Sequence, residues 1–167
     1  ALTLEGADFT YYTDPLSPSS GMVSGLPVLL ADYTFRTKKD VENYLGILEQ
    51  TGAYFDALIR YEQEKSSAGL FMSDTSADNV IEQCDSIMDP VLLSDGSHFL
   101  QQTFTERLDG LASDEIITGE EKQQYIDKNN LLLTTVMAPA YERVGDAFLV
   151  LKGTGTNTVY LASLNGN

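Results

Sequence analysis

The chain of 167 residues has little of what most catalytic sites are built from. It has one cysteine, Cys84, so no internal disulfide can form. That cysteine lies in the helical pattern VIEQCDSIM, three residues after Ile81 and four before Met88, and reads as a small buried side chain rather than a reactive thiol. His98 is the only histidine and HExxH is absent, so the two-histidine zinc site of a peptidase cannot be assembled from this chain. His98 follows the Asp95-Gly96 turn near a helix start, where a surface or capping role is expected; no GxSxG motif supports a triad around it. There is no tryptophan. No apolar run approaches the roughly 18 residues a membrane span needs; the longest are 26–31 and 147–151. Basic residues are also scarce: 10 Lys and Arg against 25 Asp and Glu give a net charge of −15. Without clustered cations the chain is not expected to bind nucleic acid or anionic lipid. The acidity reads as a solvated surface, with an acidic face for a cationic partner as the alternative.

What is present is mainly helical periodicity. Residues 1–36 are the exception, with three of the five prolines and the cluster SPSSG. They read as an extended, turn-rich lead-in, with a short strand in 9–12 and one apolar anchor at Val28-Leu29-Leu30. A helical domain is expected over 37–153. Thr37 and Asp40 have capping-box spacing, and Val41, Tyr44, Leu45 and Leu48 follow at helical intervals. Gly52 suggests a break before a second run through Tyr54, Phe55, Leu58, Ile59 and Glu62 to about Ser67. After an apolar loop, 69–72, a helix is expected from Thr75 with Asp78 in the capping box, ending before Pro90. Another is expected from Ser97 to about Leu108. Thr118 and Glu121 open the longest pattern, Tyr125 to Leu151, with a kink at Pro139 and a stop at Gly153. The predicted fold is all-α, a multi-helix array or bundle with long kinked helices. Residues 154–167 read as an extended tail ending on Asn-Gly, a turn signal, which suggests that the natural chain continues.

Chemistry-bearing patterns are few. Asp74, Asp78 and Asp85 lack calcium-loop spacing, and Gly153-Thr154-Gly155 neither follows a strand nor opens a helix, as a phosphate loop would. Among the carboxylates Glu62 stands out, because it follows Tyr54, Phe55 and Tyr61 and precedes Lys65 by three residues. Of the nine tyrosines, Tyr11, Tyr12, Tyr33, Tyr44, Tyr54 and Tyr61 crowd the first part of the chain. Such rings line clefts as well as cores, with core packing the default.

Three stretches, SPSSGMVSGLPVLLADYTFRTKKDVENYLGIL, YFDALIRYEQEKSSAGLFMSD and VMAPAYERVGDAFLVLKGTGTN, resemble in order and spacing the N-terminal half of bacterial proteins in the domain-of-unknown-function 885 family. The resemblance covers about residues 17–157. It implies a zinc-metallopeptidase-like parent whose HExxH-type motif lies in a C-terminal half. No zinc ligand carries over, so no cofactor is expected in this chain, while zinc is expected in the parent. The implied partners are that C-terminal catalytic half and a peptide-like substrate. The family likeness also implies a secreted or lipid-anchored protein. The chain opens at Ala1, so any export segment is expected to have been removed or to lie outside these residues. On this reading the chain walls one side of a substrate cleft, with Tyr33, Tyr44, Tyr61, Glu62, Phe71 and Met72 as the candidates facing it. The competing reading is a stand-alone acidic binding module.

Overall fold

The computed structural model describes Tyr11 and residues 13–155; the strand expected in 9–12 and the tail beyond 155 lie outside the described residues, apart from Tyr11. The described chain is all-α, with no strand. Seven α-helices follow one another: α1 (Met22–Ala31), α2 (Lys38–Ser67), α3 (Asp74–Ile87), α4 (Pro90–Asp95), α5 (Phe99–Ser113), α6 (Gly119–Leu132) and α7 (Ala138–Leu151), with a π-helical segment, Leu133–Met137, joining the last two.

The 30-residue helix α2 is central. It packs against α7, α6 and the π segment, while α3 lies along α7 and α5 along α6. Thr37 and Asp40 form the expected capping box: Asp40 N–H donates to the Thr37 side chain, and Thr37 N–H donates to the Asp40 carboxylate at 2.9 Å. Val41, Tyr44, Leu45, Leu48 and Phe55 then form a buried stripe at helical spacing. The break expected at Gly52 does not occur. Gly52 lies where α7 and the π segment come close, with Arg143 and Val136 atoms 3.6 Å from the position a Cβ would take. Tertiary packing on this face outweighs the cost of about 1 kcal/mol for glycine in a helix.

The lead-in is the main correction. Residues 22–31 within it are helix α1, although Pro27 lies in the middle. A proline at this position cannot donate to the carbonyl four residues back, that of Val23. The Tyr141 hydroxyl of α7 donates to that carbonyl at 2.7 Å, in a buried bond. A side chain 118 residues away thus replaces the missing backbone donor. Gly21 is needed at the entrance, because a Cβ there would lie 2.4 Å from the Ser17 carbonyl oxygen.

Smaller corrections concern helix ends. Helix α3 starts earlier than expected, capped by Ser73, whose hydroxyl accepts from Ser76 N–H. Asp78 does not cap; its carboxylate holds Lys152 at 2.6 Å. The turn at 95–96 is preceded by the short helix α4, with Asp89 as N-cap and Gly96 in the left-handed conformation at φ 79°. Helix α5 runs on to Ser113. Thr118 and Glu121 form the second capping box, as the spacing predicts. Pro139 produces no sharp break. The winding widens just before it, so that Ala138 N–H donates to the Leu133 carbonyl five residues back. Gly153, at φ 82°, ends α7.

Tyr141→Phe removes the donor that fills the gap left by Pro27. We expect a loss of about 1–3 kcal/mol, the cost of a buried unsatisfied carbonyl. Adding Pro27→Ala restores a backbone donor and should recover most of that loss in urea unfolding; no recovery would show that the bond is incidental.

Candidate functional site

The densest polar cluster is at the C-terminal end of α2. Glu62 and Lys65 lie three residues apart and so share one helix face. That face is turned inward: neither side chain is more than 1% exposed, and Lys65 Nζ stands 3.3 Å from Glu62 Oε2. The ammonium also donates to the Asp14 carboxylate and, at 3.2 Å, to the Thr13 carbonyl. One cation is therefore shared by two carboxylates. Burial pushes the Glu62 carboxyl above its ordinary value; Lys65 pulls it back and Asp14 adds to the rise. Burial pulls the Lys65 ammonium down, but Asp14 and Glu62 outweigh it and raise the group overall.

Surrounding contacts tie distant segments to this point. The Tyr61 hydroxyl and Thr13 Oγ1 are 2.8 Å apart, and the Tyr11 and Tyr61 rings pack at 5.8 Å. Ser66 Oγ donates to Thr154 Oγ1 at 2.7 Å. Gly155 crosses so close to the 71–72 backbone that a Cβ would lie 2.7 Å from the Phe71 carbonyl oxygen. Both ends of the described chain thus meet the last turns of α2.

The six sequence candidates do not form one cleft. Tyr61 and Glu62 belong to the cluster just described. Phe71 is buried at 2% exposure against Phe148, ring centroids 5.3 Å apart, and Met72 is half-buried against the same core. Tyr33 and Tyr44 lie near the opposite end of α2, about 27 Å from Glu62 for the 18 residues between Tyr44 and Glu62 at 1.5 Å each. Tyr44 is fully buried, and burial pushes its phenol up to about 12. Tyr33 is half-buried beside it at 5.8 Å. With Phe35 and Phe104 these rings pack into one cluster, and Arg107, which sequence reasoning did not single out, lies over the Phe35 and Tyr44 rings. Its guanidinium sits 4.5 Å from the Phe35 centroid, and Nη1 donates to the carbonyls of Leu30 and Tyr33, at 2.8 and 2.5 Å. Arg107 thereby caps the end of α1. Its one sequence signal is its place three residues after Phe104 on the inward stripe of α5.

His98 caps, as expected, but it is not at the surface. It is 1% exposed; Nδ1 accepts from Leu100 N–H at 3.3 Å, and Nε2 lies 2.7 Å from the Ile87 carbonyl. Both ring nitrogens are engaged in local structure. Cys84 is buried, and its thiol is pushed up to about 12 by burial. Among the described residues no three His, Cys, Asp or Glu side chains converge as metal ligands. The described residues do not fit a zinc centre.

The described chain is an all-α array in which Lys65, Glu62, Arg107 and His98 are held by one another, by Asp14 or by backbone groups. The chain belongs to the DUF885 family of bacterial proteins of unknown function, whose family profile matches residues 1–157. No curated protein and no solved structure matches it.

Lys65→Met leaves Glu62 as a buried, uncompensated carboxyl and should cost about 3–5 kcal/mol in urea unfolding at pH 7. Glu62 has a pH signature opposite to that of a carboxylate whose value is lowered by its ion pair. Its folded value is raised, so its contribution is fully present below the unfolded value and is lost as pH rises through the folded one. Glu62→Gln should therefore gain on the parent between pH 4 and pH 7; a constant difference over that range would contradict the assignment.

Proposed function

We propose that this chain is a helical scaffold, non-catalytic by itself, within a larger exported zinc-dependent peptidase or hydrolase. The metal and the reacting groups are supplied by a catalytic half outside these residues, and the substrate is peptide-like. The observation that carries this reading is that the buried ionisable side chains are taken up by the fold: Lys65 and Glu62 with Asp14, Arg107 with the end of α1, and His98 with two local backbone groups. The family likeness supplies the zinc chemistry and the export of the whole protein. On this reading the end of α2, where Thr13, Tyr61 and the 71–72 backbone meet, is the face nearest the catalytic half.

The test is metal content and peptidase activity of the protein encoded by the complete reading frame, beside those of residues 1–167. We expect about one zinc per molecule and activity in the former, and neither in the latter. A complete protein that holds no zinc after reconstitution would overturn the enzymatic reading. A reading frame that stops near Asn167 would overturn the scaffold reading.

A further inference from the structure

Two clefts open on either side of α4 and share Thr134 of the π segment as a common wall. One, of about 450 Å³, lies between α3 and α7 and is bordered by the carboxylates of Asp85 and Glu142. The other, of about 580 Å³, lies between the end of α4 and α6 and is bordered by those of Asp95 and Asp127. No lysine or arginine lines either cleft. The cations of the described ion pairs are engaged elsewhere: Lys38 with Glu121, Lys128 with Glu49, Arg143 with Asp56, Lys152 with Asp78. Asp85 and Glu142 have no hydrogen-bond partner among the described residues. Asp127 accepts only from Gln123, at 2.9 Å, and Asp95 only from Ser97.

Two further features point to an occupant. Gln101, at 6% exposure, forms part of the second cleft. Its Nε2 donates to the Leu93 carbonyl at 3.2 Å, and its Oε1 is a buried acceptor without a donor. A buried acceptor without a donor is uncommon, and a donor on a molecule seated in the cleft would satisfy it. Apolar surface is interleaved with the acids: Leu131 is 59% exposed at the second cleft, and the half-buried Pro139 lines the first. The acids do not converge in a set of three that could hold a metal ion. They are spread along the groove, which suits an extended polycation with apolar side chains between its charges.

We propose that this two-cleft groove binds a basic peptide segment, in which Lys or Arg side chains meet the four carboxylates and intervening apolar side chains cover Leu131 and Pro139. The net charge of −15 adds long-range attraction for such a partner and makes binding salt-dependent. This inference does not rest on the scaffold reading; the groove exists whether or not a catalytic half accompanies the chain.

The test is fluorescence anisotropy with a labelled nonapeptide of alternating arginine and leucine, at 20 and 150 mM NaCl. A glutamate–leucine peptide and labelled spermine serve as comparisons. The arginine peptide should bind, more weakly at the higher salt, and the glutamate peptide should not. The triple variant Asp85→Asn, Asp127→Asn, Glu142→Gln should weaken binding at least tenfold with its thermal unfolding unchanged. A control that removes the same charge elsewhere, Glu106→Gln, Asp114→Asn, Glu120→Gln, should change it less than twofold. Equal losses in the two triple variants would overturn the site in favour of a diffuse acidic field. Spermine binding as tightly as the arginine peptide would overturn the peptide in favour of a small polyamine, and absence of binding would overturn both.

Discussion

A single buried ammonium organises the far end of the central helix. Lys65 is held between Glu62 on its own helix and Asp14 on the segment before α1. An isolated charge in this position would cost several kcal/mol, and a buried carboxyl beside it would cost as much again. Each is tolerated because the other is present. The arrangement also dictates topology: residues 13–14 must cross the last turns of α2 for Lys65 to be satisfied. The same end of α2 receives Thr154, so the first and last described segments are brought together there.

The sequence shows the helices where their signals are local, and misses what depends on distant partners. Both capping boxes, at Thr37 and Thr118, are local arrangements over four residues and were legible. So were the stop at Gly153 and the burial of Cys84. Helix α1 was not, because Pro27 reads as a breaker until Tyr141 is known to donate to Val23. Gly52 reads as a break for a similar reason: the packing that carries the helix through it comes from α7 and the π segment. At the candidate site, the spacing of Glu62 and Lys65 and the aromatic run before them were legible. The third member, Asp14, has no sequence relation to either. Tyr44 and Tyr61 share a helix, and only helix length separates them into different environments.

The two functional ideas draw on opposite properties of the same chain. Inside, Lys65, Glu62, Arg107 and His98 are paired or hydrogen-bonded, and what they stabilise is shape. Outside, acids along α3, α4, α6 and α7 are left without cations where α4 and the π segment open two clefts. The π segment belongs to both descriptions. It accommodates Pro139 within a nearly continuous helix, and it places Thr134 on the wall common to both clefts.

The central claim is that the buried charges serve the fold, and a double-mutant cycle on Glu62 and Lys65 tests it most directly. Urea unfolding at pH 7 of the parent, both single variants and the double variant Glu62→Gln, Lys65→Met gives the coupling between the two. The account predicts a coupling of about 1–3 kcal/mol, with the double variant recovering at least half of the stability lost by Lys65→Met alone. A coupling near zero, with the double variant no more stable than Lys65→Met, would contradict it.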